Sequence, residues 1–230
     1  MNAKRTAAGI LLLAALPFLV KIAVLGTTGY ALQSLYKLAQ LGIPVAWRLK
    51  KKQGMNVFWP FDEPRPALLG WMTGALSGCA LALIGIIAIQ IGTVFGLADP
   101  VSIRAGFDQR FTVHAPLAVA IVLFLSTFNA ALEELHFRAW LDRELSALCG
   151  NAAGIGISAI AFGGMHILIF WGMPWFSLQA VLMIAGALAL AGAAWSALAR
   201  MRGGIHLAFF SHAVTDALLL TWGLFWLGYM

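Results

Sequence analysis

The stretch Ala131-Leu132-Glu133-Glu134-Leu135-His136-Phe137-Arg138-Ala139-Trp140 sets two adjacent carboxylates inside a run that otherwise reads as membrane. The residues leading into it include Leu117, Val119, Ile121, Val122, Leu123, Phe124, Leu125 and Phe128. An ionised acid at the centre of a membrane helix costs about 2.5–3.5 kcal/mol on insertion scales. Two in succession therefore need polar partners, and intramembrane ionisable residues mark functional sites by default.

The rest of the chain supplies the membrane context. Of 230 residues, 61% are hydrophobic and only 10% charged, with a mean hydropathy of +0.88. A soluble domain carries about 25% charged residues. The composition excludes a soluble domain and fits an integral membrane protein, whose Trp and Phe residues suit lipid-facing surfaces and interfacial belts. The net charge of +6 comes from basic residues in short loops between apolar runs. These orient the chain and give no reason to invoke nucleic acid. Cys79 and Cys149 show neither a disulfide framework nor metal-ligand spacing.

Taken in order, the apolar runs predict an all-α, polytopic transmembrane helix bundle of six to seven spans, with seven preferred. The run 7–25 follows Lys4-Arg5 and reads as a span, a cleaved signal peptide being the alternative. The segment 27–47 is interrupted by Gln33, Lys37 and Gln40 and bent at Gly42-Ile43-Pro44, so it either crosses the membrane or lies along it. Arg48-Leu49-Lys50-Lys51-Lys52 belongs to the cytoplasm under the positive-inside rule. Trp59-Pro60-Phe61-Asp62-Glu63-Pro64-Arg65-Pro66 reads as a loop.

Further spans follow over 67–97, the helix opened by Pro116, 152–170, 175–199 and 205–227. Between them, 99–114 reads as a polar loop and Asp142-Arg143-Glu144 as the water-exposed end of the Glu-bearing helix. Cys149-Gly150-Asn151, Gly172-Met173-Pro174 and Arg200-Met201-Arg202-Gly203-Gly204 read as turns. Seven spans put ten basic residues on the N-terminal, cytoplasmic side and only Arg104 and Arg110 on the other. The chain thus divides into an N-terminal anchor region with a basic loop, 1–66, and a helical core, 67–230.

Depth connects the polar residues. Glu133 and Glu134 lie 17 and 16 residues before Gly150, and His166 lies 16 after it. In an antiparallel hairpin with about 1.5 Å of rise per residue, the three are level, roughly 24 Å from the turn. His212, eight residues beyond Gly204, climbs about 12 Å from a turn on the same side. His212 and Asp216, like Glu134 and Arg138, are four apart and share a helix face. Such a cluster suits water activation by a Glu and His166, with His212 and Asp216 steadying an oxyanion. Rival readings are a transporter or ion relay, a catalytically idle immunity protein, and an ion network that only packs helices.

Together these motifs resemble the signatures of the CAAX protease and bacteriocin-processing (CPBP, or ABI) family of intramembrane endopeptidases. The signatures are Glu-Glu-x-x-x-Arg, Phe-x-x-x-His and His-x-x-x-Asn or Asp. Here they are Glu133, Glu134 and Arg138, then Phe162 and His166, then His212 and Asp216, in the family's order over about 115–225. The resemblance implies a glutamic mechanism in which Glu133 and His166 activate water, His212 and Asp216 form an oxyanion site, and Glu134 and Arg138 support Glu133. It implies packing for Phe162 and leaves the position of His136 free. No metal cofactor is expected. Zinc is the lesser alternative, because Glu-Glu is not the His-Glu-x-x-His helix of zinc peptidases. Asp216 stands where Asn is commoner. An ionised Asp cannot donate to an oxyanion, so Asp216 is either protonated or orients His212.

The implied partners are membrane lipids and a membrane-associated peptide or protein substrate, prenylated or carrying a C-terminal sorting signal. The implied location is a prokaryotic cell membrane. His114 and His206 read as interfacial, and Gly163-Gly164 as a place of close helix approach or local unwinding.

Overall fold

The computed structural model describes residues 3–25, 34–51, 66–110, 115–171 and 173–230. Among them the chain is all helix and turn, without a strand. The helices are α1 (Ala3–Ala23), α2 (Tyr36–Lys50), α3 (Leu68–Val94), α4 (Pro100–Arg110), α5 (Pro116–Cys149), α6 (Asn151–Trp171), α7 (Leu178–Leu198) and α8 (Gly204–Trp226). Five of these, α3 and α5 to α8, are long and apolar enough to cross a membrane. The shortest has 21 residues, about 32 Å of helix against a hydrocarbon core of about 30 Å. The chain is therefore an all-α integral membrane protein.

The expected count of six to seven spans rests, beyond these five, on α1 and α2. The apolar part of α1 is Ala7–Ala23. Helix α2 has 15 residues, about 22 Å. Its buried residues Tyr36, Gln40, Ile43, Pro44 and Trp47 recur at helical spacing along one stripe, and that stripe packs against α5. Residues 52–65, which hold most of the expected Trp-Pro loop, and His114 lie outside the described residues.

Two expectations are corrected. The region 99–114 is not simply a loop, because Pro100–Arg110 forms α4. Asp99 accepts hydrogen bonds from the Val101 and Ser102 amides at 3.2 and 3.1 Å, and Pro100 occupies the first helical position, where its missing N–H costs nothing. Asp142, at the expected water-exposed end of α5, is itself buried, while Arg143 beside it is exposed. It is 1% exposed and receives Arg200 in a two-pronged pair, Nη1 to Oδ2 at 2.7 Å and Nη2 to Oδ1 at 2.6 Å. That carboxylate raises the pKa of the Arg200 guanidinium. The pair ties the end of α5 to the turn after α7.

Helix α5 runs through the middle, in contact with α2, α6 and α8. It is not uniform: Leu125–Asn129 and Glu134–Asp142 are π-helical. Wider turns of this kind free main-chain carbonyls, and Ser158 of α6 donates to the Phe137 carbonyl at 2.9 Å. All nine residues of Glu134–Asp142 are buried. The flanking helices close in where glycine removes a side chain. A Cβ on Gly163 would strike the Ala185 carbonyl, so this glycine permits a close approach of α6 to α7, whereas Gly164 meets only Phe18. A Cβ on Gly78 would lie 2.6 Å from the Ser211 carbonyl oxygen of α8.

Two stability predictions follow from these contacts. Gly78→Leu forces α3 from α8 and costs about 1–3 kcal/mol or more, read as a lower midpoint of thermal unfolding in detergent or nanodiscs. Arg200→Ala strands the Asp142 carboxylate and costs about 3 kcal/mol, while Arg200→Ala with Asp142→Asn recovers much of the loss.

Candidate active site

Three helices deliver the expected residues to one buried place. Glu133 ends a short α-helical turn of α5 and Glu134 opens the π segment, so both adjacent carboxylates face inward. On α8, His212 lies between them. Its Nδ1 donates to Glu134 Oε1 at 2.8 Å. Its Nε2 stands 3.7 Å from Glu133 Oε2 and 3.5 Å from Asp216 Oδ2. Both latter distances exceed a direct hydrogen bond and leave room for adjustment around a third group.

Arg138 Nη1 is 3.0 Å from Glu134 Oε1. The contact is one of charge, because no guanidinium nitrogen makes an aligned hydrogen bond among the described residues. The planar cation lies instead over Phe162, 4.5 Å from its centroid, and 5.2 Å from that of Trp195. Gly192 leaves the space for it, since a Cβ there would be 2.9 Å from Arg138 Nη2. Phe162 also meets the rings of Phe137, His166 and His212.

His166 turns its Nδ1 to the carbonyl of Phe162 at 2.9 Å. A carbonyl only accepts, so Nδ1 carries the proton and the Nε2 lone pair is left for chemistry. The ring is partly exposed and lies in electrostatic range of Glu133, His212 and Lys37. The structure thus brings together all seven residues singled out by the sequence. Asp216, with 23% of its side chain exposed, sits at the edge of the cluster. His136 turns away, its Nδ1 lying 3.3 Å from the Gln40 carbonyl oxygen.

Several neighbours were missed. Lys37 of α2 places Nζ 2.6 Å from Glu133 Oε1, and Asn129 Nδ2 donates to the same oxygen at 3.1 Å. Asn129 precedes Glu133 by one helical turn, a spacing that was legible. Lys37 lies 96 positions away, and in the sequence it only interrupts an apolar segment. Trp195 stacks on His212 with centroids 3.8 Å apart and planes 12° from parallel. Its Nε1 is held by Ser211 Oγ at 3.2 Å. Three carboxylates, Glu133, Glu134 and Asp216, therefore face two fixed cations, Lys37 and Arg138, with an imidazole between them. Cys79 and Cys149 are exposed free thiols. Among the described residues no three His, Cys, Asp or Glu side chains converge as a metal site.

No curated protein and no solved structure matches the chain. Residues 115–218 match the model of the family described as Type II CAAX prenyl endopeptidase Rce1-like. All three sequence motifs, from Glu133 to Asp216, lie inside this match, so the segment carries the signature of the Rce1-like family and supports an intramembrane protease of the CAAX type.

Proposed function

We propose that the protein hydrolyses a peptide bond near a membrane-held tail, using a water activated by Glu133 and no metal. The observation that carries this reading is the placement of His212 Nε2 3.7 Å from Glu133 Oε2, with Nδ1 tied to Glu134. Oε1 of Glu133 is taken by Lys37 and Asn129, so Oε2 is the oxygen left to accept a proton from water. His166 Nε2 shares that water. The hydroxide attacks the scissile carbonyl, and the oxygen that becomes negative is met by a proton donor on His212 Nε2. Protonated Glu133 then gives its proton to the leaving amine, which completes addition of one water across the bond.

In this scheme Asp216 orients His212, being on the same helix face at 3.5 Å. Glu134 and Arg138 hold the imidazole from the opposite side. Lys37 and Asn129 fix Glu133. The substrate is a peptide or protein tail kept at the bilayer by lipid or by an apolar segment, which the family description, a prenyl endopeptidase, supports. Membrane lipids are the other partner. The end bearing Lys51, Arg143, Arg200 and Arg202 faces the cytoplasm of a prokaryotic cell by the positive-inside rule, with the N-terminus on that side.

The test uses purified protein in lipid vesicles with a prenylated or membrane-anchored reporter peptide. Glu133→Gln keeps size and lowers cleavage by at least about 10³-fold while expression and unfolding temperature hold; undiminished cleavage removes Glu133 from the mechanism. Lys37→Met lowers the rate at least about tenfold, and Lys37→Arg retains part of it. Chelators leave the rate unchanged. A loss restored by zinc would select the metal-dependent mechanism instead.

A further inference from the structure

Helix α2 runs parallel to α5 and pairs with it in nearly constant register. Lys37 meets Glu133, Gln40 meets His136 and Lys51 meets Glu144. Between the last two pairs, the rings of Trp47 and Trp140 lie 6.4 Å apart. From Lys37 to Lys51 this polar seam is about 21 Å long. Its lower end is wet: the Lys51 and Glu144 side chains are 39% and 17% exposed and joined at 2.7 Å. Its upper end is Glu133.

The middle is buried and rich in hydrogen-bonding groups that lack protein partners. Among the described residues these are Nε2 and Oε1 of Gln40, Nε2 of His136, and Nε1 of both Trp47 and Trp140. Each would cost about 1–3 kcal/mol if left dry, so five on one seam are a heavy penalty for mere packing. Buried polar groups without protein partners are met by ordered water, each molecule typically serving about three of them. The rest of the stripe, Tyr36, Ile43 and Pro44, supplies the apolar wall. A cavity at this end, about 340 Å³ and lined by residues that include Asp142, Arg200 and Arg138, does not include Glu133.

We propose that the α2–α5 seam is the path by which water reaches Glu133 from the aqueous face at Lys51–Glu144. The proposal rests on the peptidase reading. Hydrolysis consumes one water for every bond cut, and an active site within lipid needs a supply that the bilayer does not provide. Gln40, with both donor and acceptor atoms, and His136 would pass water along, and Lys37 marks the point of delivery.

Hydroxyl-radical labelling by short X-ray pulses of the full chain in nanodiscs tests the path, because buried side chains are oxidised only where water touches them. Trp140 and Trp195 form a matched pair, 3% and 1% exposed, but Trp195 Nε1 has a protein partner and lies off the seam. Trp140 should be labelled at least about fivefold faster than Trp195. In Gln40→Leu its labelling should fall toward that of Trp195 and peptide cleavage should slow at least about fivefold, while Gln40→Asn keeps part of both. Equal labelling of Trp140 and Trp195 in the unaltered protein overturns the path without needing any variant to fold. So does a Gln40→Leu protein that cuts at the original rate, since water then arrives elsewhere. The labelling reads hydration whether or not peptide is cut, so failure of the peptidase reading shows separately in the Glu133→Gln assay.

Discussion

A charge inside a bilayer must be answered by another charge or by a directed dipole, and Glu134 is where this requirement is most severe. It is fully buried, and one of its oxygens is approached both by Arg138 from its own helix and by His212 from α8. Removing either partner leaves a carboxylate in a low-dielectric interior at a cost of several kcal/mol. The contact therefore sets the rotation of α8 against α5 and places Nε2 of His212 toward Glu133. The remaining arrangement is built outward from it. Trp195 fixes the plane of the imidazole, Phe162 and Trp195 cover the Arg138 guanidinium, and Gly192 yields the volume that the cation occupies.

The π-helical geometry of Glu134–Asp142 has a structural consequence for this packing. Nine consecutive buried residues would be difficult to satisfy on a free-standing helix. Here α2 covers one side and α6, α7 and α8 the others. Polar groups released by the wider turn are taken up nearby, as Ser158 takes the Phe137 carbonyl. Irregular backbone at membrane depth is tolerated where protein surrounds it.

The site is larger than the segment that carries the family match. Residues 115–218 hold the acids and imidazoles, but the cation on Glu133 comes from α2, outside that segment. Helix α2 is unlike a lipid-facing span, since Gln40 is wholly buried and its buried stripe turns toward α5. Its polar residues are explained by what they face inside the protein.

The sequence by itself determined the membrane class, the helical architecture and the seven residues of the motifs. Hydropathy marks spans because backbone groups in lipid must bond within their own helix. Helical rise fixes depth, so Glu133, Glu134, His166 and His212 were legible as level. Helical spacing likewise pairs Glu134 with Arg138. The start of α4 is legible as well, in the capping Asp99 and the first-turn Pro100, although the polar run around them masks it. What only the tertiary structure decided is which surfaces face one another across different helices. Lys37 on Glu133, Arg200 on Asp142 and Trp195 on His212 join residues whose separation in the chain follows no helical period. Their meeting depends on helix rotation and close approach, which are properties of the packed bundle as a whole.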